Sequence, residues 1–283
     1  MSRSAFLKDG ARSYEVLSPK TLHLGMPHLG QDGVRHGWLL REACHLHWTA
    51  IAREFDVPPS EIRDRDGVRV LPSVVACTVN GDASRFSEDD ECQLRLTETP
   101  SAENGWRSQS DLTNAAGASL RAEILTVFAR RRGASNCDLE RANLDDELLG
   151  CRTSEAARRS HIIRRVGASD RALAKKDTDP PHRVVTISPE LHVNGVGLVY
   201  FAVIHDEILQ AETNSVPNLL KAWPMRNRRI HYFGNLDPGD RMEITARAAA
   251  QAIGAAAAVC VSTHIRRASD GAVIATAQSI YGH

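Results

Sequence analysis

The clearest pattern of apolar positions in the first half of the chain is a helical stripe. Apolar residues recur at positions 40, 44, 48, 51 and 55, a spacing that places them on one face of an α-helix. Trp38 and Leu39 add a second apolar face, so the pattern predicts a helix that is buried on most sides. A second segment, 198 to 209, is also mostly apolar and predicts a second buried helix, although its periodicity alone does not exclude a strand.

Each predicted helix is followed by apolar runs that are typical of β-strands. These runs cover residues 68–79, 91–99 and 119–131 in the first half, and 228–233, 241–250, 257–267 and 273–281 in the second. Turn sequences separate them, such as Asn80-Gly81-Asp82 and Pro238-Gly239-Asp240. Each half therefore predicts one helix wrapped by an antiparallel sheet, which is the arrangement of a hotdog fold.

The two halves share a short sequence match at the entrance to each predicted helix. Residues 27–34 read P-H-L-G-Q-D-G-V and residues 189–196 read P-E-L-H-V-N-G-V. Aligned without a gap, the match pairs Asp32 with Asn194 and Gly33 with Gly195. We therefore predict an α+β fold, a double hotdog with two helix-wrapped antiparallel sheets in one chain. Its parts are an N-terminal hotdog at 1–137, a basic linker at 138–183 and a C-terminal hotdog at 184–283.

The linker differs in composition from both halves. It is rich in arginine and lysine, and its pattern predicts a helix over part of its length, at 153–165. One interpretation is a solvated connector. The other is a cationic surface that receives phosphates or an acidic carrier protein.

Composition limits the classes of partner that the chain is expected to bind. The 283 residues carry no net charge, so no overall field favours nucleic acid, and no apolar run is long enough for a membrane span. The six cysteines are scattered without a C-x-x-C pair, which favours reduced thiols and no metal site. The first residues lack the apolar stretch of a secretory signal, and we expect a cytoplasmic protein. Motifs of serine hydrolases, P-loop enzymes and dinucleotide-binding enzymes do not occur.

Candidate chemistry lies where each loop enters its helix. Unpaired N–H groups at a helix start stabilise the negative charge that develops on a thioester carbonyl. The first loop carries Asp32 and His36, which suit a general base and acid, and the second carries Asn194. We predict these three as catalytic residues, although Asp32 and Asn194 also fit a simple turn or helix-start role. We expect the substrate to contact a further set of residues: His28, Gly33, Gly195 and Tyr200.

Several strings in both halves resemble the leinamycin-type acyltransferase/decarboxylase family, and most closely an uncharacterised polyketide-cluster branch beside it. In the first half they are 26–29, 37–42 and 47–48, and in the second 194–202 and 232–237. The resemblance implies a double hotdog that acts on an acyl group carried as a thioester on coenzyme A or an acyl carrier protein. Characterised members decarboxylate methylmalonyl-coenzyme A through an acyl-tyrosine. The comparable stretch here, Asp66 to Ser73, contains no tyrosine.

Three functions remain open from the sequence. The first is an enzyme of polyketide-type biosynthesis that decarboxylates or transfers a malonyl-type unit. The second is a hotdog dehydratase, hydratase or thioesterase, and the third is a non-catalytic module that binds an acyl carrier protein. None of these requires a cofactor beyond coenzyme A or phosphopantetheine as the substrate carrier. A monomer and a homodimer are both compatible with the sequence.

Overall fold

The computed structural model describes residues 18–101, 105–144, 154–253 and 256–282. The first half contains one long helix and eight strands: β1 (Lys20–His23), β2 (Leu29–Gly30), β3 (Gly33–Val34), α1 (His36–Glu54), β4 (Leu71–Gly81), β5 (Glu91–Ser101), β6 (Gly105–Asn114), β7 (Ser119–Arg131) and β8 (Leu139–Arg141). The rest of the described chain comprises α2 (Ser154–Ala174), β9 (Arg183–Thr186), α3 (Pro189–His192), α4 (Phe201–Ser215), α5 (Leu219–Ala222), β10 (Met225–Tyr232), β11 (Arg241–Ile253), β12 (Ala256–Arg267) and β13 (Val273–Gly282).

The main sheet is continuous across both halves and is built as a repeat. Its strand order is β1-β5-β6-β7-β4-β10-β13-β12-β11-β9, with β8 paired to β7. Read from each outer edge toward the middle, the two halves have the same connectivity. They meet where β4 and β10 pair antiparallel, with Cys77 opposite Ile230. The halves therefore join edge to edge in one sheet, which corrects the expectation of two separate sheets.

The helices cover the two faces of this sheet in different ways. On one face α1 and α4 lie side by side, and Arg41 of α1 forms an ion pair with Asp206 of α4 at 2.8 Å. On the other face α2 packs against β10, where His231 and Arg229 approach Asp170. Successive strand residues point to opposite faces, so β10 has one row toward α4 and another toward α2.

The largest apolar cluster crosses the junction between the halves. It contains Leu40 of α1, Ile204 of α4 and Ile230 of β10, all almost completely buried. Two smaller clusters are confined to one half each, around Phe128 in the first and around Tyr281 in the second, so the largest cluster is the one that the two halves share. In the described chain, no helix has both the length and the apolarity to pass through a bilayer.

Several elements differ from their sequence predictions. β6 was not predicted, and β8 lies within the region assigned to the linker but pairs with β7. The linker helix α2 continues to Ala174, well past the predicted end at 165. The second helix begins at Phe201, so Tyr200 occupies the position just before its first turn, although the predicted helix at 198–209 includes it.

Candidate functional site

The loops that lead into α1 and α4 have the same hydrogen-bonding pattern. The backbone N–H of Arg35 donates to the carbonyl oxygen of His28 at 2.9 Å, and that of Tyr200 donates to His192 at 2.8 Å. His28 and His192 are therefore equivalent in the repeat. Arg35 and Tyr200 are likewise equivalent, each immediately preceding its helix.

Both histidines stabilise these loops through the same ring atom. Nδ1 of His28 accepts the backbone N–H of Gly25, and Nδ1 of His192 accepts that of Ser188, both at 2.8 Å. The ring of His28 also lies 4.8 Å from that of Trp38. These contacts give His28 a role in holding the loop, and its predicted contact with substrate stays a prediction.

The second loop is one residue longer than the first. Seven positions separate His28 from Arg35, whereas eight separate His192 from Tyr200. Left-handed backbone conformations occur at Gly33 (φ 93°) and at Gly197 (φ 81°). The first loop pairs Leu29 with Val34, and the second pairs Val193 with Val199. The gapless sequence alignment of Gly33 with Gly195 and of Asp32 with Asn194 is therefore wrong.

A cavity of about 820 Å³ lies between the two halves. Its walls come from the middle of α1, the start of β4, the end of β7, the β7–β8 segment, the loop before α4 and the residues after β10. Apolar side chains predominate, including Leu71, Val74, Phe128 and Ile204. A concave apolar site of this size with a few polar groups is typical of small-molecule binding.

Asn194, Gly195 and Tyr200 line this cavity. Oδ1 of Asn194 accepts the backbone N–H groups of Val196 and Leu198, both at 3.1 Å. This is a turn of the kind that asparagine side chains stabilise. Its Nδ2 has no acceptor among the described residues, and it is half-buried at the cavity. One end of this amide therefore shapes the loop and the other is available to a ligand.

Tyr200 carries a hydroxyl at the cavity wall. It lies near the thiol of Cys44, which belongs to α1 and lines the same cavity. Burial raises the pKa of the Cys44 thiol to about 11, and burial with the nearby thiol raises the pKa of Tyr200 well above its usual value. Both groups are protonated at neutral pH, so they serve as hydrogen-bond donors and are poor nucleophiles.

Two cavity residues were missed as site candidates in the sequence. His45 is exposed on α1 and lines the cavity, whereas the neighbouring His47 is buried and contacts Thr126 through Nε2 at 2.9 Å. Glu140 of β8 also lines the cavity and accepts a hydrogen bond from Nε of Arg130 at 2.8 Å. The helical period does separate His45 from His47, but it does not indicate which of them faces a cavity.

Asp32, Gly33, His28 and His36 line neither of the two cavities described here. At the start of α1, the carboxylate of Asp206 lies against Gly37, where a Cβ atom would have no room. Burial opposes ionisation of Asp206, but contacts with His205 and Arg41 outweigh it, and the pKa of the carboxyl is lowered. A carboxylate of the protein thus lies against the first turn of α1.

His36 is buried beside this carboxylate, with 8% of its surface exposed. Neither ring nitrogen has a hydrogen-bond partner in the described part of the chain, and its ring lies 6.1 Å from that of His205. Burial, His205 and Arg228 lower its pKa well below the usual value. The predicted role of His36 as a catalytic acid is not tested by this geometry.

The second half contains a buried network of charged and polar side chains at a position where a side chain of the first half lines the cavity. Arg228 is 1% exposed and donates to the carboxylate of Glu212, to Ser279 Oγ at 2.8 Å and to Tyr281 Oη at 2.8 Å. Arg228 pairs with Ser279 in the sheet as Val74 pairs with Thr126. The two repeats therefore differ at one inward position, where valine borders a cavity and arginine fills the interior.

Among the described residues, Cys137, Asp237 and Asp240 bring potential metal ligands within 4.8 Å of one another. Asp237 already accepts hydrogen bonds from the backbone of Asn136 and the hydroxyl of Ser135. Arg267 donates to the thiol of Cys137. Because these atoms are engaged within the protein, we assign no metal to the cluster.

Comparison with known proteins identifies the fold. No family model and no curated protein matches the chain. Among solved structures, the 12:0-ACP thioesterase from Umbellularia californica has a TM-score of 0.66 at 11% identity, over 95% of this chain and 94% of that one. An acyl-ACP thioesterase from Bacteroides thetaiotaomicron has a TM-score of 0.58 at 8% identity, over 94% and 97% of the two chains.

A conserved hypothetical protein from Mycobacterium tuberculosis, described as a double hotdog, has a TM-score of 0.50 at 10% identity over 90% of this chain and 84% of that one. Nothing in these comparisons supports the leinamycin-type family specifically. The continuous repeat sheet and these similarities confirm that the chain is an α+β protein with the double-hotdog fold.

Proposed function

We propose that this protein is an enzyme that hydrolyses acyl thioesters carried on coenzyme A or an acyl carrier protein. The observation that carries the proposal is the apolar cavity of about 820 Å³ that ends at the start of α4. An acyl chain would lie against Leu71, Val74 and Phe128, with its thioester near Tyr200 and Asn194.

The start of α4 suits a thioester carbonyl. The first N–H groups of a helix have no partner within the helix, and they stabilise an oxyanion as it forms. Tyr200 and Nδ2 of Asn194 add side-chain donors to the same wall of the cavity. The corresponding start of α1, at His36 and Gly37, lines neither cavity, so we place the reaction at α4 alone.

The protonation of the two possible nucleophiles, Cys44 and Tyr200, favours hydrolysis over covalent acyl transfer. Cys44 and Tyr200 are kept protonated by their raised pKa values, and a protonated thiol or phenol attacks an acyl group poorly. Water activated by His45 or Glu140 at the cavity is a simpler attacking group. Two of the structural neighbours described above are thioesterases by name, which agrees with this choice.

Decarboxylation or transfer of a malonyl-type unit is the second candidate. It is favoured by Arg69 and Arg141, which line the cavity and are exposed, because a guanidinium would bind the free carboxylate of such a substrate. Dehydration has less support, since Asp32 and His36, which suggested it, do not line the cavity.

The test is to incubate the full chain with acyl, malonyl and hydroxyacyl thioesters of both carriers and to record product masses. Free acid with free carrier supports hydrolysis. Loss of carbon dioxide would indicate decarboxylation, and loss of water would indicate dehydration. Binding of the carrier protein without any product would indicate a non-catalytic binding module. A matched pair of variants locates the site: Val74→Phe fills the cavity and should abolish turnover, whereas Val184→Phe, exposed on the edge strand β9, should not.

A further inference from the structure

A second cavity, of about 410 Å³, lies between α2 and the sheet face opposite α1 and α4. Its walls come from one side of α2 and from the end of β10. This is the region of the chain that is rich in basic residues, and the proposed reaction makes no use of it.

Three cationic residues line this cavity: Arg164 and Arg171 of α2, and Lys175 in the turn directly after it. They are seven and four positions apart, a spacing that places them along one face of a helix. Arg171 lies over the ring of Phe233 with its guanidinium carbon 5.1 Å from the ring centre, which fixes its direction. No carboxylate pairs with Arg171 or Lys175 among the described residues, and Nε of Arg171 is buried without an acceptor.

His231 faces these cations from the sheet. It lines the cavity, is only 3% exposed, and neither of its ring nitrogens has a hydrogen-bond partner among the described residues. Asp170 is the nearest carboxylate, 3.5 Å from Nδ1 of His231, and it is also paired with Arg229 at 3.4 Å. A buried imidazole that makes no hydrogen bond ordinarily costs stability, and its position beside two unpaired cations favours an anionic ligand in the cavity.

The two cavities adjoin. Val75, Arg164, Tyr232 and Phe233 line both of them. The pairing of β4 with β7 shifts register between Val74 and Ala76, so Val75 is the extra residue of a β-bulge at the shared wall. A ligand with an anionic end at α2 can therefore extend toward the acyl cavity.

Resting on the proposed function, we propose that the second cavity binds the phosphate of the phosphopantetheine arm that coenzyme A and acyl carrier proteins share. Arg171 presents a planar fork of donors, which matches a phosphate group. Lys175 and His231 supply further donors around the same anion. The arm then passes the wall at Val75 and delivers the thioester to the main cavity.

The test compares binding of 4′-phosphopantetheine and of pantetheine, which lacks the phosphate, to the full chain by calorimetry. We expect the wild-type protein to bind the phosphorylated compound at least about tenfold more tightly, since hydrogen bonds to charged groups contribute that much or more. Arg171→Gln should remove this difference, and Arg171→Lys, which keeps the charge without the fork, should restore part of it. Arg165→Gln is the matched control, because Arg165 is exposed on α2 and does not line the cavity.

Equal affinity of the wild-type protein for the two compounds would overturn the proposal. An equal loss in Arg165→Gln and Arg171→Gln would also overturn it, because the effect would then come from the general charge of α2. The same variants assayed with coenzyme A and with a holo carrier protein separate the two sources. If Arg171→Gln weakens the binding of both ligands, the shared phosphate is the bound group. If it weakens the binding of coenzyme A alone, the cavity binds the nucleotide phosphates and the proposal is contradicted. Binding is measured without turnover, so failure of the enzyme to hydrolyse any thioester would reject the proposed function and leave this result standing.

Discussion

Single residues in this protein are best understood in pairs across the repeat. His28 and His192 accept the same kind of backbone hydrogen bond, although the sequence match aligns His28 with Glu190. Both histidines stabilise the loop that leads into a helix. By contrast, Tyr200 and its equivalent Arg35 differ, and only Tyr200 lines the cavity. Differences between equivalent residues therefore indicate function better than similarities do.

Tyr200→Phe tests the proposed donor. If the hydroxyl stabilises the developing oxyanion, kcat should fall about 100-fold, while the free energy of unfolding should change by no more than about 1.5 kcal/mol. Steady-state kinetics and urea unfolding measure the two quantities. Cys44→Ala is the control, because it removes the partner of Tyr200 in the protein but leaves the hydroxyl, and it should keep kcat within severalfold. Wild-type kcat in Tyr200→Phe would exclude the hydroxyl from the reaction.

His36→Leu separates a buried histidine from a catalytic one. Its folded pKa is lowered, so the unfolded state binds more protons. The stability of the wild-type protein is therefore complete above about pH 6.5, the unfolded pKa, and decreases as the pH falls below it. Leucine removes this dependence and two unpartnered nitrogens, and we expect it to raise the free energy of unfolding by about 1–3 kcal/mol.

Unfolding of wild-type and His36→Leu proteins from pH 5 to 8 checks this expectation, and the gain should be larger at pH 5. Turnover measured on the same samples tests the alternative. A large loss of activity at full stability would establish His36 as a catalytic group and would move the reaction toward α1.

At the scale of elements, the sequence predicts those whose inward positions are apolar. α1 follows its stripe at 40, 44, 48 and 51 closely. β6 was missed because Ser108 and Ser110 take the buried positions between Arg107, Gln109 and Asp111, and serine does not register as an apolar position in a period-two pattern. The extra residue in the loop before α4 was missed because a gapless match of eight positions cannot reveal it.

The candidate site was only partly predictable, because local sequence patterns do not show contacts between distant residues. The helix-entry rule leads to Asn194, Gly195 and Tyr200 as well as to Asp32 and His36, and it treats both helix starts alike. What distinguishes them is a contact between residues 169 positions apart, Gly37 and Asp206. No local pattern carries that information. His45 and Glu140 were missed because their exposure to the cavity depends on the packing of the opposite repeat.

The network around Arg228 is an element-scale feature, since it joins α4 to β10 and β13. Arg228→Met should destabilise the protein by about 3–5 kcal/mol, because Glu212 is left buried without its cation. The double variant Arg228→Met/Glu212→Gln, which removes both charges, should recover most of this loss. Urea unfolding of both variants measures the effect. A double variant as unstable as the single one would show that the charge of Glu212 is not the cause.

At the scale of the whole molecule, β4 and β10 make the two repeats one structure. Because the sheet and the main apolar cluster both cross this junction, we expect a single cooperative unfolding transition. Trp38, Trp48 and Trp106 report on the first half and Trp223 on the second. A variant that retains only Trp223 and one that lacks only Trp223 should have the same denaturant midpoint by fluorescence. Two separated midpoints would mean that the halves unfold independently.

The carboxylate that Asp206 places at the start of α1 has a consequence for stoichiometry. Because this carboxylate lies against the first turn of α1 and that turn lines neither cavity, we expect the chain to bind one acyl thioester and not two. A titration with a tight, non-hydrolysable ligand should saturate at one equivalent per polypeptide.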